Sequence, residues 1–334
     1  MRIHVAALSL SLAASAAATS VAAAQDNLSI PPELAVPAGN HIVLIAHGYG
    51  SQDYECRADA SGALAWTFRA PKALLFADDG TLVVRHFGGI DVDLPAGVYW
   101  QSTLDGSRVH SGHVTAVPNP GAIALLRVEA ADHAGEGILA NVSFIQRLDT
   151  VGGVGPTGTC PHAGLLRIVP YSAIYVFYVP SLARPEVPTE LEVPSGNDVG
   201  MIGHAQGVQI YECSADGTFK FHAPRATLSD DTGPFIEHFG GIDTNLPAGV
   251  YWESIRDGSR VHGGTAVAVN NPGQIALLRL AAADTAGNGI MSRVTFIQRL
   301  ATLGGVSPTG ACGSVGSLVE VPYTADYYFY RPGL

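Results

Sequence analysis

The chain has 334 residues, only 14% of them charged, and a formal net charge of −11 at pH 7. Lys72 and Lys220 are its only lysines, so it lacks the basic surface that contacts the phosphates of nucleic acids. The acidic balance also argues against long-range electrostatic capture of anionic partners. Low charge and 39 glycines suit an extracytoplasmic β protein.

Residues 1–24 have the pattern of a cleavable secretory signal. Arg2 and His4 precede an apolar run from Val5 to Val21, and the small residues Ala22–Ala24 form the cleavage site. An uncleaved membrane anchor is the alternative, but a short run dominated by Ala is marginal for crossing a bilayer. The sequence has no second long apolar run. We therefore expect a secreted or periplasmic protein without an integral membrane segment after signal cleavage.

The rest of the chain consists of one domain in two copies. We place the first copy at residues 30–179, the second at 188–334, and a proline-rich linker at 180–187. Copies of this length indicate tandem domains rather than the short units of a solenoid. The clearest recurring segments are His86–Asp91 with His238–Asp243, Leu94–Trp100 with Leu246–Trp252, Asp105–His110 with Asp257–His262, and Phe144–Leu148 with Phe296–Leu300.

The four cysteines occupy equivalent positions in the two copies. Four cysteines allow three pairings. Because Cys56 corresponds to Cys213 and Cys160 to Cys312, the simplest arrangement is one bridge within each copy. Each bridge would close a loop of about 100 residues, worth ~4 kcal/mol in the chain-entropy model. Free thiols are the alternative, and they are uncommon in exported proteins.

Each copy shows a series of short predicted strands. Segments rich in Val, Ile, Tyr, Phe and Thr alternate with Gly, Pro, Asp and Asn, which is typical of all-β domains. The best helical candidate, Glu129–Ala140, contains two glycines. We predict two tandem homologous β-sandwich or β-barrel domains and leave the choice between sandwich and barrel open. In the first copy the predicted strands are His41–His47, Gln52–Cys56, Leu64–Arg69, Leu82–Phe87, Val98–Leu104, Ser107–Val117, Ile123–Val128, Val142–Leu148, Leu165–Val169 and Ala173–Tyr178.

One hairpin can be predicted in detail. Asp105–Gly106 lies between two β-rich runs and is a two-residue turn signal, which predicts that Gln101 faces His110. Side chains alternate between the two faces of a strand. The predicted polar face carries Gln101, Thr103, Arg108 and His110, with Glu253, Ile255, Arg260 and His262 as their second-copy counterparts. The predicted opposite face carries Trp100, Leu104 and Val109.

Several motifs of the second copy are similar to those of a known family. They are Gly207–Cys213, His238–Gly240, Trp252, Asp257–Ser259, Phe296–Arg299, Gly304–Gly305, Pro308, Cys312 and Val321–Tyr330. Across these segments the chain resembles domain-of-unknown-function family 3455, which comprises secreted bacterial and fungal proteins. The first copy departs from the pattern at Asp53, Ser172, Ile174 and Val176. The resemblance implies a secreted β domain and brings no established catalytic residues.

Some fungal relatives in that family carry a malate dehydrogenase label, and one segment tests that reading. Gly153–Gly158 matches the G-x-G-x-x-G pattern of dinucleotide-binding loops. However, Pro156 lies inside the segment, Cys160 follows it, and no helix pattern opens after it. A dinucleotide site needs a strand, a tight turn and a helix N-terminus together. We interpret the segment as a Gly/Pro loop that carries the disulfide.

Three histidine positions recur in the two copies and are the candidates for a metal site. They are His47 with His204, His86 with His238, and His110 with His262. Three converging imidazoles would suit a metal ion with an open coordination position. No pair of them shows a diagnostic metal-ligand spacing, so the alternative is a set of separate structural or surface histidines. We expect the protein to bind no cofactor. The alternative is that it binds a metal ion.

A serine-hydrolase triad of Asp105, Ser107 and His110 is a further hypothesis. Ser107 and His110 are three residues apart on a predicted strand, so their side chains point to opposite faces. A nucleophile and its base must lie within hydrogen-bond reach of each other. The spacing therefore disfavours this chemistry.

The polar hairpin face and the aromatic residues beside it are the candidate recognition surface. Aromatic rings beside polar side chains suit neutral sugars. The predicted ligand-binding residues are His86, Trp100, Arg108, His110, His238, Trp252, Glu253, Arg260 and His262. The leading hypothesis is a non-enzymatic exported binding or surface protein that recognises a neutral ligand such as carbohydrate or an envelope component. The alternative is an extracytoplasmic enzyme, metal-dependent or carbohydrate-active.

Overall fold

The computed structural model describes residues 29–333, and the predicted signal segment lies outside them. Two closed barrels, each of eight antiparallel strands, account for nearly all of this region. Each strand pairs with the next along the chain, and the last strand of each barrel pairs with its first. The predicted all-β tandem arrangement is confirmed, and closure into barrels resolves the choice between sandwich and barrel. No helix in residues 29–333 has the length and apolar character needed to cross a bilayer.

The two barrels have equivalent strands. The first consists of β1 Asn40–Ala58, β2 Leu64–Phe76, β3 Leu82–Gly88, β4 Val98–Ser102, β5 Arg108–Val117, β6 Leu125–Ala134, β7 Phe144–Gly152 and β8 Leu166–Pro180. The second consists of β9 Asn197–Cys213, β10 Phe219–Asp230, β11 Gly233–Gly240, β12 Val250–Ser254, β13 Arg260–Val269, β14 Leu277–Ala286, β15 Phe296–Gly304 and β16 Leu318–Pro332. Short 3₁₀ turns occur at Pro32–Leu34, Gly89–Asp91, Thr189–Leu191 and Gly241–Asp243.

The ten predicted strands of the first copy merge into eight longer ones. The predicted break between His47 and Gln52 is wrong, because β1 continues through Gly48 and Gly50. At Gly48 a β-carbon would lie 2.7 Å from the Tyr175 ring, so glycine here allows close approach rather than a turn. The predicted break before Ala173 is also wrong, because β8 runs unbroken from Leu166 to Pro180.

A segment that precedes each barrel covers part of its outer wall. Leu34 is fully buried against the outside of the first barrel beside Leu148 and Tyr178. Gln146 donates from Nε2 to the Leu34 carbonyl at 2.6 Å and accepts from the Tyr178 hydroxyl at 2.6 Å. The second barrel repeats this arrangement with Leu191, Gln298 and Tyr330. Outward-facing residues of β7 and β15 are therefore buried as deeply as inward-facing ones.

A plug, defined here as residues 135–142, closes one end of the first barrel. Asp105 accepts hydrogen bonds from the backbone N–H of Ser107 at 2.9 Å and of Ile138 at 2.8 Å. The Ser107 hydroxyl donates to Asp105 at 2.5 Å and accepts from the Leu139 N–H at 3.1 Å. Asp257 and Ser259 hold the corresponding segment of the second barrel in the same way. The recurring Asp-Gly-Ser motif thus anchors the plug, and Ser107 does not meet His110.

The hairpin between β4 and β5 has a longer loop than predicted. Gln101 pairs with Arg108 instead of His110, and Ser102 bonds to Ser107 across the loop Thr103–Gly106. The predicted two-residue turn is wrong because the Asp105 carboxylate accepts a hydrogen bond from the backbone of the plug. A shift of two residues leaves every side chain on its predicted face.

Both predicted disulfides are present. Cys56 bonds to Cys160 and Cys213 to Cys312, with sequence separations of 104 and 99 residues. Each bridge joins the end of the first strand of its barrel to the loop before the last strand. The two copies are therefore independently cross-linked.

The two barrels meet through their plugged ends. Asn288 of the second barrel donates to Asp79 of the first at 2.9 Å, and Arg256 forms an ion pair with Glu136 at 3.1 Å. Leu182, in the predicted linker, makes a β-bridge with Val199. Buried apolar residues of both barrels belong to one continuous cluster. Contact between the plugged ends leaves the opposite end of each barrel away from this interface.

Candidate functional site in the barrel lumen

The lumen of the first barrel contains a cavity of about 560 Å³ at the end away from the plug. This volume lies within the roughly 300–1,000 Å³ that ligand pockets occupy. Its apolar walls include Val98, Ile123, Leu126, Val128 and Ile145. The mouth carries three exposed apolar side chains, Phe68, Val114 and Val154.

A cluster of polar and aromatic side chains lies within this apolar cavity. Alternate residues of a barrel strand point inward, and this places His86 of β3, Trp100 of β4 and Arg147 of β7 in the lumen. Gln52 of β1 and Tyr175 of β8 complete the lining on the other side. We call these five residues the lumen cluster. No Asp or Glu is among the residues that line the cavity.

His86 is a buried, neutral hydrogen-bond acceptor in the lumen cluster. Its Nδ1 lies 2.9 Å from the backbone carbonyl of Tyr99 and must donate, because a carbonyl only accepts. Nε2 therefore carries the free lone pair. Burial lowers the pKa of His86 to about 3 despite that hydrogen bond. The ring stacks on Trp100 with centroids 4.3 Å apart and lies 5.4 Å from Tyr175.

Two donors of the lumen cluster are buried without a partner. Trp100 Nε1 makes no hydrogen bond within the part of the chain that the structure describes, and Gln52 Nε2 has no partner in hydrogen-bond geometry there, although the Gln52 amide lies close enough to the Tyr171 hydroxyl to act against the rise of its pKa. Both residues are almost completely buried, at 4% and 2% exposure. A buried donor without a partner costs about 1–3 kcal/mol, so each of these groups favours a bound molecule with a hydrogen-bond acceptor.

Arg147 brings a positive charge into the lumen. Its Nε and Nη2 donate to the Ala124 carbonyl at 3.2 and 2.9 Å. The guanidinium also acts on the hydroxyls of Tyr171 and Tyr175, which bond to each other at 2.8 Å. Arg147 has no ion-pair partner among residues 29–333.

The second barrel carries the same cluster. Gln209, His238, Trp252, Arg299 and Tyr327 occupy the equivalent positions. Gln209 Nε2 and Trp252 Nε1 are again buried without partners in the described region. His238 again bonds to a backbone carbonyl, that of Tyr251, at 2.9 Å, and burial again lowers its pKa to about 3.

The outer wall of the first barrel has a second cavity, a groove of about 680 Å³. Its basic side chains are Lys72, Arg85 and Arg108. Lys72 is already paired with Asp53 at 3.1 Å, and the Arg108 guanidinium lies over the Tyr99 ring at 5.6 Å. Because these polar groups are exposed or already paired, the groove offers weaker evidence for a ligand than the lumen.

The three recurring histidine positions lie in separate environments. His86 lines the lumen, whereas His47 pairs with Asp78 at 2.8 Å and His110 with Asp132 at 3.1 Å. Their counterparts His204 and His262 pair with Asp326 and Asp284. Within residues 29–333 no three His, Cys, Asp or Glu side chains lie together as a metal site would require. The hypothesis of three converging histidines has no geometric support.

The predicted ligand-binding residues fall on two sides of the barrel wall. His86, Trp100, His238 and Trp252 line the two lumens. The others face outward: His110 and His262 stack on Tyr99 and Tyr251, Arg108 lies over Tyr99, and Arg260 pairs with Glu253 at 2.9 Å. One ligand does not contact both sets, because the sheet separates them. A ligand-binding role for the outward set stays a prediction.

The sequence reasoning missed Gln52, Arg147 and Tyr175 as site residues. Arg147 could have been identified from the sequence as a site residue, because it lies in a recurring segment that is otherwise apolar on one face of the strand. In the sequence Gln146 stands beside it, and alternation alone does not say which of the two faces inward. Gln52 was hidden because its strand has a bulge at Asp53–Tyr54, which changes the alternation of faces.

The fold and the cavity define a class of protein: two plugged, disulfide-bonded β-barrels, each with a polar cluster inside its lumen. The chain belongs to the family described as Protein of unknown function (DUF3455), whose model matches residues 37–179 and 194–331. These two matches confirm the resemblance and the tandem copies. No curated protein and no solved structure shows significant similarity to the chain.

Proposed function

We propose that the protein is a non-enzymatic binding protein that holds a small, mainly apolar molecule in the lumen of its barrel. The observation that carries this proposal is the apolar cavity of about 560 Å³ in the lumen, whose wall includes the buried donors of Gln52 and Trp100. Ligand pockets combine such apolar walls with a few polar groups that orient the bound molecule. A ligand with hydrogen-bond acceptors would remove the desolvation penalty of these donors.

The chemistry of the lumen favours binding over catalysis. A general base works best with a pKa near the working pH, whereas burial lowers the pKa of His86 to about 3. Burial also raises the pKa of Tyr175 above its ordinary value, so its hydroxyl stays protonated. The lining contains no Asp, Glu or Cys that would supply an acid or a nucleophile.

The apolar walls also change the expected kind of ligand. A neutral sugar presents hydroxyl groups on every side, and each would need a polar partner when buried. Most of the lining is aliphatic or aromatic, and Tyr99 and Trp100 are too buried to serve as an external platform for a sugar ring. We therefore place the ligand in the lumen and describe its body as apolar.

We further propose that the protein works outside the cytoplasm. Two intradomain disulfides are typical of secreted or periplasmic proteins, and the N-terminal signal pattern supports export. Two linked barrels would bind two ligand molecules per chain, which suits capture or storage of a scarce compound.

A neutral apolar dye tests the proposed function. N-phenyl-1-naphthylamine should become fluorescent on binding the purified protein, with saturable binding at no more than two sites. Ala122→Trp places an indole at the mouth of the first lumen and should abolish one site. Leu74→Trp is the matched control, because Leu74 faces the outer groove, and it should leave binding unchanged. Absence of saturable binding, or equal effects of the two variants, would reject a lumen site.

A further inference from the structure

We infer that the molecule bound in the lumen is an organic carboxylate, an apolar chain or ring whose carboxylate accepts hydrogen bonds from Arg147, Gln52 and Trp100. This inference rests on the proposed lumen site and adds the chemical class of its ligand. In the second barrel the corresponding residues are Arg299, Gln209 and Trp252.

The charge of the lumen points to an anion. Some outer arginines have carboxylate partners, such as Arg69 with Asp91 at 2.6 Å and Arg260 with Glu253 at 2.9 Å. Arg85 and Arg108 have none among the described residues, but they lie on the outer wall. Arg147 faces a cavity whose lining includes no carboxylate. A positive charge in an apolar environment is costly unless it is paired. A ligand carboxylate would supply the partner that residues 29–333 do not.

The donors of the cluster, as distinct from the acceptor His86 Nε2, match a carboxylate better than a neutral head group. Gln52 Nε2 and Trp100 Nε1 are donors without partners, and the five N–H groups of a guanidinium exceed what the Ala124 carbonyl accepts from Arg147. An ionised carboxylate is acceptor-only, with two oxygens and about four lone-pair sites. An alcohol or amine would leave part of this donor set unsatisfied.

The protein as a whole is acidic, and the inference depends on local rather than global charge. A net charge of −11 repels anions at long range, but ions screen that repulsion beyond about 8–10 Å at physiological salt. Inside the lumen the nearest charge is that of Arg147, and low surrounding polarity strengthens its interaction with an anion. The negative surface should slow association more than it weakens binding.

Three probes of equal chain length test the inference by displacement of N-phenyl-1-naphthylamine from the full-length protein. At pH 7 decanoate should bind about 10- to 100-fold more tightly than 1-decanol, as charge-assisted hydrogen bonds predict, and decylamine should bind most weakly. In the double variant Arg147→Gln/Arg299→Gln the advantage of decanoate over 1-decanol should fall to less than about threefold, whereas the control Leu74→Trp, in the outer groove, should leave that advantage unchanged.

Two more conservative double variants test the inference if Arg147→Gln/Arg299→Gln does not fold. Trp100→Phe with Trp252→Phe removes the indole N–H together with one ring of the side chain, and should weaken decanoate about 3- to 10-fold more than it weakens decanol. Arg147→Lys with Arg299→Lys should retain a preference for decanoate. Equal affinity for decanoate and decanol in the unmodified protein would overturn the carboxylate inference while the lumen site stands. Failure of the dye to bind would overturn both.

Discussion

On strands β3 and β11, neighbouring residues of the outer and inner walls compare differently between the two barrels. Outside, Arg85 of the first barrel corresponds to Glu237 of the second, a reversal of charge. The next residue along the same strand, His86, faces inward and corresponds to an identical residue, His238. Exceptions exist on both walls, since the outward His110 matches His262 and the inward Ser111 corresponds to Gly263. Identity between the copies therefore does not by itself mark the lumen.

Packing alone does not explain why the inner polar residues agree. An apolar lumen is filled most simply by aliphatic side chains, yet both barrels keep an arginine there, Arg147 and Arg299, without a carboxylate partner in the described region. Both also keep two unpartnered donors. Groups that cost stability in two separate barrels indicate a shared function, which we propose is ligand binding.

The inner walls still differ in the space they leave. Ser111 and Val128 of the first barrel correspond to Gly263 and Leu280 of the second. The two changes are coupled, because a β-carbon at Gly263 would lie only 3.1 Å from Leu280 Cδ2. In the second lumen the residue on one strand is smaller and the residue on the next strand is larger than in the first lumen. We therefore expect the two lumens to prefer ligands of different shape.

The largest expected effect comes from removing a disulfide. Cys56→Ser with Cys160→Ser should lower the free energy of unfolding by about 4 kcal/mol, since loops of about 100 residues lose their closure constraint. Cys213→Ser with Cys312→Ser should cost a similar amount, because the separations of 104 and 99 residues are nearly equal. Urea unfolding followed by circular dichroism measures both. Costs that differ by more than about 2 kcal/mol would show that the barrels are not energetically equivalent.

The buried histidines predict an acid-dependent loss of stability shared by the two barrels. Burial holds the folded-state pKa of His86, His238 and His41 at about 3, whereas an unfolded histidine titrates near 6.5. The unfolded chain therefore takes up protons first as the pH falls. The contribution of these histidines to the free energy of unfolding is fully present above pH 6.5 and is lost as the pH falls towards 3. Each histidine contributes up to ~1.4 kcal/mol per pH unit in this window.

Urea midpoints measured between pH 7 and pH 4 check this dependence. His86→Gln and His238→Gln should each remove a similar part of the slope, and His110→Gln is the control, since that ring lies on the outer wall beside Asp132. A slope that is unchanged in the His86 and His238 variants would contradict the assignment.

The smallest expected effect is an exchange of shape between the two lumens. Ser111→Gly with Val128→Leu should give the first lumen the shape of the second and change its affinity for N-phenyl-1-naphthylamine by about 3- to 10-fold. Gly263→Ser with Leu280→Val should shift the second lumen in the opposite direction. Stability should change by less than about 1.5 kcal/mol, because each pair nearly conserves volume. Titration with the other lumen blocked, by Ala122→Trp or by Gln274→Trp at the equivalent position of the second barrel, separates the two sites. Identical affinities before and after the exchange would show that these residues do not shape the ligand.

Several features were readable from the sequence because they depend on position along the chain. Equivalent positions paired Cys56 with Cys160 and Cys213 with Cys312, and period-two alternation placed Trp100 and Arg108 on opposite faces. The predicted hairpin register is wrong because the Asp105 carboxylate accepts a hydrogen bond from the backbone N–H of Ile138, which lies far along the chain. Local turn propensity contains no information about such a distant partner.

The sequence by itself determined the repeat, the disulfide partners and the all-β class, because each leaves a local or periodic mark. Only the tertiary structure decided that the sheets close into barrels and which face of each strand is the lumen. The reason is physical: Gln146 and Arg147 are adjacent, and both sides of β7 are covered, one by the segment that carries Leu34 and the other by the opposite wall. Where both faces of a strand are buried, polarity no longer marks the outside, and only the closed barrel reveals that Arg147 faces the lumen.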